Sequence, residues 1–189
     1  MTEVSAALLL FVATVVGWFA LEVRQATRRR PDAVREDGRS LLVLRLTTVA
    51  GFALAVAAAR LVPGADVPAR IAYVAALVLL WCGIALRWWS FRTLGEYFTF
   101  AVHTSDDQTV VATGPYRWVR HPAYLGMLLA LAGIGATLAN VVALLVLIAV
   151  VLVGVVHRID VEESALVARL GDRYRAYAGS RRRLVPGVW

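Results

Sequence analysis

The sequence predicts an all-α, polytopic integral membrane protein with about five transmembrane helices and a C-terminal amphipathic helix on the cytoplasmic side. Three observations carry that expectation. The 189 residues are 60% hydrophobic with a mean hydropathy of +0.68, more apolar than a soluble domain. The apolar residues fall in runs, and roughly 20 of them span a hydrocarbon core about 30 Å thick. The charge is sorted as well: the formal net charge of +7 rests on Arg alone, with no Lys, and the Arg gather in the links beside the apolar runs. Basic residues placed this way suit anionic headgroups rather than nucleic acid. Nothing marks a second core, so residues 1–189 are read as a single membrane domain. Within it, 1–70 form an N-terminal two-helix region and 71–189 a core that carries the site.

The first run, 4–23, is interrupted only by Glu22. It lacks a basic leader and a clean small-residue cleavage site before Arg24, so it is expected to be retained. The second run, 41–62, has Arg45 and Arg60 near its ends, where both can snorkel. The third, 71–91, carries Arg87 one turn from its end. It also holds Cys82, the only cysteine, which excludes an internal disulfide and reads as packing rather than as a nucleophile. Runs 123–138 and 141–156 are shorter and joined around Ala139 and Asn140. They read as a tight helical hairpin in which Gly126, Gly133 and Gly135 allow close approach.

The links set the topology. Segment 24–40 holds six Arg, the link 63–69 none, segment 92–120 three, the link at 139–140 none, and the tail after Val156 seven. The alternation places the N-terminus outside and the C-terminus in the cytoplasm. The Ala/Val-rich, all-Arg composition points to a bacterial inner membrane. The two long polar segments then share one side, and a site can be built between them. In the tail, Leu166, Leu170, Tyr174 and Tyr177 recur at helical spacing, with Gly171 a local weakness. The ending RRRLVPGVW reads as a headgroup anchor that snorkels Arg and buries Leu184, Val185 and Trp189.

The segment GPYRWVRHPAYLG, 114–126, opens the fourth run. Pro122 suits the first helical position and pushes His121 out of the helical basin. His121 is therefore expected at the cap, where the helix presents partial positive charge and unpaired N–H groups. With Arg117 and Arg120 adding to the field and Tyr116 and Tyr124 flanking it, two readings stand: an aromatic and Arg belt that anchors a helix end, or an anion site. In RIDVEESAL, 158–166, Arg158 and Glu162 share a helix face and Glu163 lies about 100° around. These carboxylates either balance nearby Arg or receive a cationic ligand. An anion pocket at His121 facing a carboxylate at Glu162 suits a zwitterionic amino-acid head. No metal-ligand spacing is evident.

Four ordered blocks, LRWWSFRTLGEYFT, GPYRWVRHPAYLG, RIDVEESALVARLGDRYRAY and RLVPGVW, together resemble the isoprenylcysteine carboxyl methyltransferase family of integral membrane enzymes, here as a prokaryotic member. The resemblance covers residues 86–189. It implies a helical membrane fold that binds S-adenosylmethionine near the cytoplasmic face, beneath a C-terminal helix, with a lateral opening for a lipid substrate. By motif match, Tyr116, His121 and Tyr124 contact the cofactor and Glu162 holds its amino-acid head. Gln108, Thr109, Val110 and Val111 align with the loop that covers the cofactor, and His103 takes a cofactor-contacting position there. Arg158 matches the position facing the carboxylate to be methylated, and Arg120 braces the hinge.

The implied reaction is carboxyl O-methylation of a prenylated cysteine or analogue, with a lipophilic or lipidated substrate and membrane lipids as partners and no nucleic acid. A carboxylate acceptor, with a pKa of roughly 4, is ionised at neutral pH and needs no base. A phenolic lipid would need one, and His103, His121 and Glu163 are the nearby candidates. Membrane sterol reductases, which use NADPH, carry a similar Arg-His-Pro-x-Tyr hinge. Their version has Asn after the Pro and an acidic residue after the Gly, where this chain has Ala123 and Met127.

Asp66, in the Arg-free link, is the probe of topology. In a Cys82→Ser background, Asp66→Cys is expected to react with an impermeant maleimide only from outside the cell, and labelling from the cytoplasmic side would invert the assignment.

Overall fold

In hydrocarbon each backbone N–H and C=O must be paired within the chain, so isolated apolar runs fold as helices. The computed structural model describes residues 2–26, 34–35, 39–95, 103–104 and 110–189. Its helices are α1 (Thr2–Ala26), α2 (Ser40–Leu61), α3 (Ala69–Leu94), α4 (Pro122–Ala136), α5 (Val141–Leu170) and α6 (Asp172–Gly179). A two-residue antiparallel ladder pairs β1 (Val34–Arg35) with β2 (His103–Thr104). Four of the helices, α1, α2, α3 and α5, are long and apolar enough to cross a membrane, and α4 is a shorter apolar helix.

The fifth run extends beyond its predicted end. It continues through RIDVEESAL as a 30-residue helix, about 45 Å long at 1.5 Å per residue. Its last turns therefore project past the apolar core and carry Arg158, Glu162 and Glu163 on a rigid stem.

Packing also departs from the expected hairpin. The main pairings are α3 with α4 and α2 with α5. Gly126, Ala130 and Gly133 fall on one face of α4 by their spacing, and that face meets α3. A Cβ at Gly133 would sit 2.5 Å from the Leu80 nitrogen, and one at Gly83 would sit 2.4 Å from the Ala130 nitrogen. The glycines let two backbones touch, as small residues do where lipid gives no hydrophobic drive for helix association. Gly135 alone faces α5, against the Leu147 side chain. The shared core draws Leu44 and Ala55 from α2, Leu128 and Leu131 from α4, and Leu147, Val151, Val155 and Ile159 from α5.

The two Arg-free links meet at one end of the bundle. Asn140 caps α5 by accepting from the Ala143 N–H (2.9 Å), and its amide donates to the Val62 carbonyl (2.8 Å) and to Asp66 Oδ1 (2.9 Å). The Val67 N–H donates to the Ala139 carbonyl at 2.7 Å.

At the other end, α1 is held by side chains rather than by a packed face. Its apolar window is unburied within the protein. Arg87 of α3, only 5% exposed, forms a two-pronged ion pair with Glu22, and a third guanidinium nitrogen donates to the Ala123 carbonyl at 2.8 Å. Trp18 Nε1 donates to the same Glu22 carboxylate at 3.0 Å. Two charges that interrupt separate apolar runs thus satisfy each other, the ordinary fate of ionisable groups at such positions.

The tail is two pieces rather than one amphipathic helix. Gly171, with φ of 54°, ends α5, so Leu166 and Leu170 belong to α5 while Tyr174 and Tyr177 lie buried on α6. The ending forms a strap across the hinge. The N–H groups of Arg120 and His121 donate to the carbonyls of Arg182 (2.8 Å) and Arg183 (2.9 Å). Leu184 joins the protein core instead of a headgroup layer, because this pairing draws it inward; Val185 and Trp189 stay exposed.

Gly133→Val places a branched side chain where Leu80 backbone already sits. The expected loss is about 1–3 kcal/mol, read as a lower melting temperature in detergent. An unchanged melt would show that α3 and α4 do not touch there.

Candidate active site at the capped hinge

The site is built on a turn, a cap and a helix end. Gly114 takes φ of 55°, a left-handed value that glycine adopts without strain, and the chain then turns through Gly114–Arg117. Pro122 occupies the first turn of α4 with His121 as its N-cap, as the sequence predicts. Two of the N–H groups in the first turn of α4, those of Tyr124 and Leu125, are already engaged with the His121 carbonyl. The anion drawn to this positive helix end is supplied by the chain itself, from α5.

That anion is Glu163. Its Oε1 accepts from Arg120 Nε at 2.7 Å and lies 2.9 Å from His121 Nε2, and its Oε2 accepts from Arg183 Nε at 3.0 Å. Arg183 also reaches Asp160 at 2.9 Å. Arg120 does brace the hinge, donating from Nη1 to the carbonyls of Ala178 (2.7 Å) and Arg181 (2.9 Å). Glu163 is therefore neutralised within the protein, and the hinge, α5 and the strap lock around it.

Glu162, one residue earlier and about 100° around the helix, has a different environment. Its Oε2 accepts the Tyr124 hydroxyl at 2.8 Å. Among the described residues no Arg or His pairs with it. The Tyr124 oxygen in turn accepts from Arg158 Nε at 3.1 Å. Arg158 is 2% exposed and donates from Nη1 to the Ser40 hydroxyl at 2.7 Å, where α2 begins. Ser40, Arg158, Tyr124 and Glu162 form a continuous chain of hydrogen bonds with a carboxylate at its end. The opening of α2 thereby joins the site.

Tyr116, in the turn before the hinge, is also buried. Burial, and then the negative charge of Glu162, push its phenol well above the ordinary tyrosine range, so it stays a neutral hydroxyl. Its backbone carbonyl accepts from the Tyr177 hydroxyl at 2.9 Å, and burial pushes the Tyr177 phenol up to about 12.

The structure thus brings Tyr116, His121, Tyr124, Arg158 and Glu162 into one cluster. The His103 backbone pairs with Arg35, and β2 lies against α5. Val110 and Val111 are half-buried on the approach to the hinge, while Gln108 and Thr109 lie outside the described residues. Sequence reasoning missed Arg183 and Ser40. Nothing in the run RRR separates Arg183 from its neighbours, and a lone serine opening an apolar run carries no local signal.

In chemical terms the cluster offers an uncompensated carboxylate, a buried guanidinium and neutral phenols, all beside apolar helices. Such a set can receive a cationic group on Glu162 and hold an anionic one near Arg158.

Comparisons with known proteins identify the family and the fold. A model of the isoprenylcysteine carboxyl methyltransferase (ICMT) family matches residues 74–168. The protein-S-isoprenylcysteine O-methyltransferase of Saccharomyces cerevisiae is 32% identical over 110 residues, 57% of this chain and 46% of the yeast protein. That of Schizosaccharomyces pombe is 34% identical over 104 residues, 54% of this chain and 44% of its own length. The matches thus span less than half the length of these curated relatives. The solved structure of the eukaryotic intramembrane Ras methyltransferase ICMT superposes with a TM-score of 0.59 over 76% of this chain and 52% of that one, at 24% identity, and so shares its fold.

Glu163→Ala strands two guanidinium groups, those of Arg120 and Arg183, and removes the partner of the His121 ring. The expected cost is about 3 kcal/mol, with tryptic cleavage at Arg181 to Arg183 accelerated roughly tenfold or more as the strap lifts. Cleavage at the wild-type rate would show that the strap is held elsewhere.

Proposed function

The chain belongs to the isoprenylcysteine carboxyl methyltransferase family, and from that premise we propose that it transfers a methyl group from S-adenosylmethionine to a carboxylate on a lipophilic acceptor held in the bilayer, a prenylated cysteine or close analogue. The observation that carries this reading is Glu162: a half-buried carboxylate with a tyrosine on one oxygen and no cation among the described residues, beside a neighbour that has two arginines and a histidine ring.

The donor set fits the methionine end of the cofactor. Glu162 receives its ammonium, and Tyr116, His121 and Tyr124 form the wall around it, with the His121 ring fixed by Glu163. By the family resemblance, His103, Gln108, Thr109, Val110 and Val111 would take the positions that contact the cofactor. When bound, the sulfonium supplies a methyl group that is already activated. The work of the chain is alignment and exclusion of water, which is worth roughly 7–11 kcal/mol of barrier in favourable cases. Arg158 orients the acceptor carboxylate by a charge-assisted pair, held in place by Ser40 and Tyr124.

An ionised carboxylate attacks without losing a proton, so no base is called for. A phenolic acceptor is disfavoured because Glu163 is neutralised by its partners and engages the His121 ring. The names of the yeast relatives support isoprenylcysteine as the acceptor class. The Arg distribution supports a bacterial inner membrane with the C-terminus and the site at the cytoplasmic face, where the cofactor arrives from water and the acceptor from lipid.

The test is calorimetric binding to purified protein in detergent. S-adenosylhomocysteine is expected to bind saturably and NADPH not at all. Glu162→Ala should abolish that binding in a protein that still folds. Arg158→Ala should keep it while losing methyl transfer to a prenylcysteine analogue. Binding of NADPH alone would move the chain to the reductases, and retained affinity in Glu162→Ala would remove the head-group assignment.

A further inference from the structure

Two buried side-chain polar atoms have no hydrogen-bond partner among the described residues: Oε1 of Gln25, on α1, and the hydroxyl of Tyr174, on α6. The second is the informative one. Tyr174 is 4% exposed, and its ring stacks at a tilt on Tyr177 with centroids 5.9 Å apart. The Tyr177 hydroxyl is committed to the Tyr116 carbonyl. Arg120 is committed to Glu163, Ala178 and Arg181. Through Tyr177 the Tyr174 ring lies next to the hinge at Tyr116, and burial raises its phenol above the ordinary range, so it is a neutral hydroxyl able both to donate and to accept.

A buried hydroxyl without a partner is destabilising, and a phenylalanine would fill the same space without that cost. Among the described residues, Glu162, through its second oxygen, and Tyr174 keep hydrogen-bonding capacity unspent. They approach from different elements, α5 and the short helix that folds back beyond Gly171. We infer that the Tyr174 hydroxyl is a further ligand-binding group of the site, hydrogen-bonding the polar methionine end of the cofactor that Glu162 receives. α6 is then a wall of the cofactor pocket and not only a brace for the hinge. The inference rests on the methyltransferase reading above.

The experiment compares wild type and Tyr174→Phe for binding of S-adenosylhomocysteine by calorimetry and for melting without ligand. Wild type should bind, and the variant should bind roughly tenfold more weakly, the loss expected of one hydrogen bond. Without ligand the variant should melt at the same temperature or higher. Equal affinity would overturn the inference while leaving the methyltransferase reading intact. A variant that melts markedly lower without ligand would also overturn it, since the hydroxyl would then have a partner inside the protein. If wild type itself fails to bind, the methyltransferase reading falls and takes this inference with it. A second measurement avoids the substitution: 3-fluorotyrosine at position 174 should show a fluorine resonance that shifts on adding S-adenosylhomocysteine, and an unmoved resonance under saturation counts against contact.

Discussion

The carboxylate of Glu163 gathers Arg120 and His121 from the hinge and Arg183 from the strap, stretches separated from it by between 20 and 43 residues of chain. At the end of a membrane bundle, where apolar packing thins out, such a node does what a hydrophobic core does elsewhere. The geometry around it is shared among several cations and oxygens, which is the condition under which a largely buried charge is held without a net penalty. Position 121 is fixed twice, by its ring to Glu163 and by its backbone to the strap. The hinge keeps one shape because these contacts agree.

That fixed frame gives adjacent glutamates different duties. A rotation of about 100° per residue turns one carboxylate toward the strap and the other toward Tyr124. The first is consumed by structure, and the second is left available. Neither could exchange roles without moving α5, because the cations that neutralise Glu163 come from one side only. The rigidity of α5 beyond Val156 is part of the same design. A helix carries Arg158 and Glu162 one turn apart, so the spacing between an anion-orienting group and a cation-receiving group is set by helical geometry and not by a loop.

Much of this was legible in the sequence. The five runs, the Pro122 start and the His121 cap follow from local rules about apolar length and proline, and local rules are what one chain reveals. The adjacency of His121 to the acidic pair was readable from motif order. The rest depends on partners far away in the chain. Gly126 and Gly133 announce a close approach but not which helix approaches, and the structure chooses α3. Leu184 looked like a headgroup anchor because its burial depends on strap-to-hinge hydrogen bonds that no local pattern encodes. Tyr174 and Tyr177 were visible as an apolar spacing, whereas Gly171 decides that they face back toward α5.

The Glu22–Arg87 pair bears on how the molecule is assembled. During synthesis α1 emerges before α3, and its partner arginine follows 65 residues after Glu22. Until then α1 must enter the bilayer with an unmatched carboxylate, a burden of up to about 2.5–3.5 kcal/mol at the centre of a helix and less near its end. Glu22 lies near the end of α1, where headgroups and water can still reach it. Once α3 is in place the carboxylate gains its guanidinium, and Arg87 gains the Ala123 carbonyl at the start of α4. The ion pair of α1 therefore waits on a helix made after it, and the same guanidinium that receives Glu22 also ties α3 to the start of α4.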